Sequence, residues 1–138
     1  MPAPTRILYT AKVRTTGGRE GLSRSSDGRL DLRLTPHGGK GDGTNPEQLF
    51  AAGWAACFEG AMSRAARDMN VALPARVAIE AEVDLRSDAE GFSLAARLNV
   101  SLPGLDAAIA RTLIDIAHRT CPYCKAVRGN IEVEVNLV

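Results

Sequence analysis

Apolar and polar positions alternate with period two near both ends of the chain and take helical spacing between. In "R-I-L-Y-T-A-K-V-R", Ile7, Tyr9, Ala11 and Val13 alternate with Leu8, Thr10, Lys12 and Arg14, the period of a half-buried strand. "G-R-L-D-L-R-L-T" repeats it with Leu30, Leu32 and Leu34. Between them, Gly17-Gly18-Arg19-Glu20-Gly21 and Ser25-Ser26-Asp27-Gly28 are turn chemistry, so this third of the chain reads as an antiparallel meander. The glycine-rich stretch from His37 to Thr44 reads as a mobile loop. A helix start follows, with Asn45 as N-cap, Pro46 at the first helical position, Glu47 in the electropositive first turn and Gln48 three residues after the cap.

That helix runs to about Met69 and is apolar on nearly every face, with Leu49, Phe50, Trp54, Phe58 and Met62 set among alanines and glycines. A helix of this kind must be covered all round. After Pro74, "V-A-I-E-A-E-V-D-L" and "F-S-L-A-A-R-L-N-V-S-L" predict a hairpin turning at Ser87 to Gly91, whose outer face sets Glu80, Glu82 and Asp84 against Arg97. A second helix is expected over about Asp106 to Arg119, and "I-E-V-E-V-N-L-V" closes the chain as a strand. The order is β-β-β-α-β-β-α-β: one α+β domain over residues 1–138, with an antiparallel sheet and a buried central helix. One modest sheet and one further helix do not cover that helix. The small residues Ala51, Ala52, Gly53, Ala55, Ala56, Gly60 and Ala61 let a second copy approach, so an intertwined homodimer is expected, its helices sandwiched between two sheets.

Composition narrows the class. The chain has 138 residues, 45% apolar and 24% charged, the profile of one globular domain. Seventeen basic against sixteen acidic residues leave a formal charge of +1, so no summed field would attract nucleic acid or an anionic membrane. The first residues carry no signal-like apolar run, and no later run approaches the ~20 residues needed to span a bilayer. The reading is cytoplasmic, where thiols stay reduced and cysteines serve catalysis or metal binding more often than structural disulfides.

Three cysteines are present: Cys57 inside the long helix, and Cys121 and Cys124 in "R-T-C-P-Y-C-K-A". Cys57, three residues after Trp54, reads by position alone as a small core hydrophobe, whereas Cys121 lies at a turn and reads as accessible. C-P-Y-C suggests a glutaredoxin-like dithiol carrier, but that chemistry wants strand, motif, then helix, and here the motif follows a helix and precedes a strand. A zinc site of Cys57, His118, Cys121 and Cys124 has workable spacing at one end only, so no metal is assigned. His37 has no visible partner. A non-enzymatic dimer holding an apolar ligand also stays open.

Taken together, "T-N-P-E-Q-L-F-A-A-G-W-A-A-C-F", "S-L-P-G-L-D", "A-H-R-T-C-P-Y" and "R-G-N-I-E-V" resemble the organic hydroperoxide resistance proteins, a branch of the OsmC-like superfamily. The resemblance implies a homodimeric cysteine peroxidase that reduces alkyl and fatty-acid hydroperoxides to alcohols in oxidative-stress defence. It implies Cys57 as the peroxidatic thiol, Cys121 as the resolving one, and Arg19 and Glu47 as setting the thiolate's environment. It implies no bound cofactor, and recycling by an external thiol reductant, a lipoylated protein. Phe50, Trp54, Phe58 and Tyr123 would then line a substrate pocket favouring alkyl chains, at about 0.8 kcal/mol per buried methylene. The sequence departs from the family at Cys124, where a small polar residue is usual, and at Trp54, where tyrosine is common.

Overall fold

The computed structural model describes residues 3–138 and divides into two compact units, residues 1–46 and 47–138. The first unit is a three-stranded antiparallel meander of β1 (Val13–Thr16), β2 (Leu22–Ser25) and β3 (Asp31–Arg33). A single 3-10 turn, Gly18–Glu20, joins β1 to β2, and Gly17 enters it at φ 77°, a conformation suited to glycine. The expected first strand is displaced. Residues 3–12 form no strand within the chain, and Ile7, Leu8 and Tyr9 stand about four-fifths exposed, so the alternation there has no sheet of its own chain to bury against. The glycine-rich loop is tied at its ends, with the Thr35 N–H donating to the Thr44 carbonyl and the Gly43 N–H donating to Thr35 Oγ1 at 2.9 Å.

The second unit carries α1 (Pro46–Asp68), the hairpin β4 (Ala78–Asp88) and β5 (Gly91–Ser101), α2 (Ala107–Thr120), a short α3 (Pro122–Val127) and β6 (Glu132–Leu137). The α+β class and the order of strands and main helices are as expected. The hairpin closes through Ala89 and Glu90, with Gly91 at φ 119°. Asp106 caps α2, its side chain accepting from the Ala108 and Ile109 N–H groups.

Two features correct the expected topology. The sheet is not antiparallel throughout: β6 lies parallel to β5, because the intervening α2 and α3 form a crossover that returns the chain in the same direction. The chain also inserts α3, which Cys121 caps and which contains Cys124, between α2 and β6.

Register builds the core. Ile79, Ala81 and Val83 of β4 lie opposite Val100, Leu98 and Ala96 of β5, which in turn lie opposite Leu137, Val135 and Val133 of β6. Onto this face pack Trp54, Phe58 and Met62 of α1, four residues apart and fully buried. Each contributes on the order of 1.5–3 kcal/mol by leaving water. The outer face is polar: Arg97 grips Asp84 with two bonds of 2.8 and 2.9 Å and reaches Glu82 at 3.1 Å, holding the Asp84 carboxyl below its ordinary range. Glu82 and Asp84 make the cross-strand match expected of them. On its other side, α1 leaves Ala52, Ala56 and Gly60 exposed in the single chain. No helix among the described residues is long and apolar enough to cross a membrane.

Candidate functional site: three thiols at a helix break

The buried positions of α2, Ala110, Leu113, Ile114 and Ala117, form a stripe at helical spacing. Cys121 and Cys124 prolong the stripe beyond the helix end. Pro122 interrupts it, since a residue before proline avoids the α region, and Cys121 accordingly sits at φ −60°, ψ 123°. Cys121 thus ends α2 with its N–H donating to the Ala117 carbonyl, and opens α3 with its own carbonyl accepting from the Lys125 N–H. Pro122 takes the first helical position, where its missing N–H costs nothing. The expectation of an accessible turn cysteine is therefore reversed: Cys121 and Cys124 are buried, and Cys57 on α1 is the partly exposed thiol. The stripe turns both sulfurs inward.

These side chains meet α1 in antiparallel rungs. Tyr123 lies over Gly53, so close that a β-carbon there would stand 2.7 Å from the phenol oxygen. The Trp54 indole N–H donates to Cys124 Sγ at 3.2 Å. One turn on, Cys121 Sγ lies 3.5 Å from Cys57 Sγ, joining residues 64 apart in sequence. Phe50 packs edge-on against Trp54 at 5.3 Å and against Tyr123 at 6.0 Å. Of the four aromatics expected around a pocket, Phe50 and Tyr123 keep accessible surface, while Trp54 and Phe58 are wholly within the core.

Burial dominates the electrostatics. It pushes the Cys57 thiol above its ordinary value; the backbone N–H of Tyr123 works against this and the Cys121 thiol adds to it. Cys121 is raised as well, first by burial, with the neighbouring Cys124 amide offsetting part. Cys57 also borders a cavity of about 510 Å³ walled by Gly60, Ala61, Arg64, Asp68, Ile116, Thr120 and Pro122. Sequence reading did not single out Arg64, Asp68, Ile116 or Thr120 as cavity residues. Gly53 reads in sequence as one small residue among several, although a glycine in mid-helix, costing about 1 kcal/mol against alanine, is a signal of close approach.

Arg19 lies in the 3-10 turn of the first unit, and Glu47 in the first turn of α1 in the second. Among the described residues, no group of three or more His, Cys, Asp or Glu side chains has the geometry to hold a metal ion.

A long helix on a three-stranded sheet, with its own cysteine and one at a helix break brought sulfur to sulfur, defines a small α+β thiol protein. Residues 39–136 match the family model described as OsmC-like protein. The chain is 49% identical to an organic hydroperoxide resistance protein of Xanthomonas axonopodis pv. citri, over 99% of each chain. It is 44% identical to the organic hydroperoxide resistance protein OhrB of Bacillus subtilis, over 94% of this chain and 98% of that one. The crystal structure of Bacillus subtilis OhrB superposes with a TM-score of 0.90 at 42% identity, covering 96% of this chain and all of that one. The chain belongs to the OsmC-like family, in its organic hydroperoxide resistance branch.

Proposed function

We propose that this protein serves resistance to organic hydroperoxides as a cysteine-based peroxidase, reducing them to alcohols with Cys57 as the attacking thiol and Cys121 as the resolving one. What carries the reading is the Cys57–Cys121 approach of 3.5 Å, with Cys57 open toward a cavity and Cys121 fully buried behind it. The relatives' names point to the same substrates. The Cys57 thiolate attacks the outer peroxide oxygen; the O–O bond breaks, the alcohol leaves with a proton, and Cys57 becomes a sulfenic acid. The Cys121 thiol displaces its hydroxyl as water and the disulfide forms, the sulfurs closing by roughly 1.5 Å to bonding distance. An external dithiol, which we assign to a lipoylated protein, takes up the oxidation and restores both thiols. No bound cofactor enters this scheme.

Burial raises the Cys57 thiol, and a cation close to the sulfur would offset that and favour the attacking thiolate. We assign that part to Arg19: a guanidinium about 4 Å away at an effective dielectric of ~20 contributes roughly 4 kcal/mol, or about three pKa units. Glu47 would steer it through a two-pronged bond. Phe50 and Tyr123 offer apolar surface to an alkyl chain, with Trp54 and Phe58 backing them. A homodimer that covers Ala52, Ala56 and Gly60 of α1 completes the reading, in a cytoplasmic setting. The dithiol-carrier alternative needs a nucleophile that meets other proteins, and full burial of Cys121 counts against it.

Single-turnover reaction with cumene hydroperoxide tests the assignment. Cys57→Ser should abolish peroxide consumption, and Cys121→Ser should complete one turnover and stop at a sulfenic acid trapped by dimedone. Peroxide consumption by Cys57→Ser at the wild-type rate would reject it.

A further inference from the structure

We propose that Cys124 is a third redox-active thiol, which takes the disulfide from Cys57–Cys121 and leaves it as Cys121–Cys124, returning Cys57 to its thiol form. The inference rests on the peroxidase reading above.

Cys121 has a thiol neighbour on each side, Cys57 across from it on α1 and Cys124 one turn along α3. Its sulfur lies 3.5 Å from Cys57 Sγ, and the Cys124 thiol also bears on it. Cys121 and Cys124 are the cap and the third residue of α3, three apart on one face, a spacing of about 5–6 Å between β-carbons, which a backbone shift of roughly 1–2 Å at the start of this short helix brings to disulfide geometry. Cys124 is 1% exposed, so neither a bulky hydroperoxide nor an external protein reaches it. The thiol within its reach is Cys121.

Its sulfur is also held in place. Trp54 Nε1 donates to Cys124 Sγ at 3.2 Å, and an indole N–H only donates, so the sulfur is bound through a lone pair. Such a bond strengthens when the acceptor carries charge, as an attacking sulfur does. The same tryptophan stands one turn before Cys57 on α1, so the rung that holds Cys124 and the rung that joins the other two thiols are about 4.5 Å apart along the helix.

The exchange needs no further oxidant. The Cys124 sulfur, deprotonated, attacks Cys121 Sγ; the Cys57–Cys121 bond breaks, and Cys57 departs as a thiolate that takes up the proton. The two electrons lost to the hydroperoxide in the first turnover remain accounted for by one disulfide, now in the buried pair. Cys57, at the cavity, is free to meet a second hydroperoxide or, by the reverse exchange, to bring the disulfide back to the Cys57–Cys121 pair that an external dithiol meets.

Stoichiometry without reductant tests this. Fully reduced wild-type protein should consume two equivalents of cumene hydroperoxide, whereas Cys124→Ser and Cys124→Ala should stop at one. After quenching with acid and N-ethylmaleimide, trypsin separates Gly41–Arg64, which carries Cys57, from Thr120–Lys125, which carries both other cysteines. At one equivalent, the wild type should show an internal disulfide in Thr120–Lys125 with Cys57 alkylated, and the two variants a cross-link between the peptides. Trp54 is the single tryptophan, so a second fluorescence phase, present in the wild type and missing in both variants, should mark the transfer. Persistence of the cross-link in wild type, with one equivalent consumed and Cys124 alkylated, would overturn the proposal while leaving the Cys57–Cys121 pair standing. Absence of the cross-link from wild type and both variants would overturn the peroxidase pairing itself, and the relay with it.

Discussion

In the peroxidase proposed above, Cys57 is caught between two requirements. It must be sheltered enough to favour apolar peroxides, yet burial opposes the anion that does the chemistry. Because its pKa lies above the ordinary thiol value, the thiolate fraction in the absence of a compensating cation is small at neutral pH and rises tenfold per pH unit until that pKa is passed. Arg19→Ala should therefore move the pH profile of Cys57 alkylation to higher pH and slow peroxide attack at pH 7 by up to about 10³-fold. Arg19→Lys should restore only part, because an ammonium supplies the charge without the planar fork that engages a carboxylate. A profile in Arg19→Ala that overlays the wild type would remove Arg19 from the site.

Among the elements, α1 and the α2–α3 break do the positioning. Trp54, Phe58 and Met62 seat α1 on the sheet, and that seat fixes the height at which Cys57 meets Cys121. Phe58→Ala should cost about 3–5 kcal/mol in stability, read as a lower denaturant midpoint, because the core closes only partly over the void. The same variant should slow Cys57–Cys121 disulfide formation, measured by quenched alkylation. The start of α1, the hairpin and α2 were legible because their signals are local: an N-terminal proline after asparagine, strict alternation, an aspartate cap. The direction of β6 was not, since alternation along a strand says nothing about its partner's polarity. The inward turn of Cys121 and Cys124 was written in the α2 stripe, but Pro122 read as the end of a helix and hid its continuation.

For the whole molecule, the unburied face of α1 and the spacing of Glu47 from Cys57 bear on the same question. Ten residues of helix separate the two, about 15 Å along the axis, a span that a glutamate and an arginine bridge only when fully extended. In a dimer whose α1 helices pack antiparallel, the start of one lies beside the middle of the other, so Glu47 of one chain would serve Cys57 of its partner. Mixing Cys57→Ser chains with Glu47→Ala chains should then restore part of the peroxidase activity, since one site of each heterodimer keeps both residues. Verified heterodimers with no recovery would place the site within one chain.

By itself, the sequence determined the secondary structure of residues 46–137 in outline, α3 apart, and the family, because these rest on periodicity, capping and short motifs that act over a few residues. Tertiary structure alone decided which sulfurs meet. Cys57 and Cys121 are 64 positions apart, and their approach depends on how a helix docks on a sheet and how a proline redirects the next one. It also reverses what position suggests, leaving the mid-helix cysteine partly exposed and burying the one at the turn. Exposure is a property of what packs against a residue, and in this chain those neighbours arrive from distant segments.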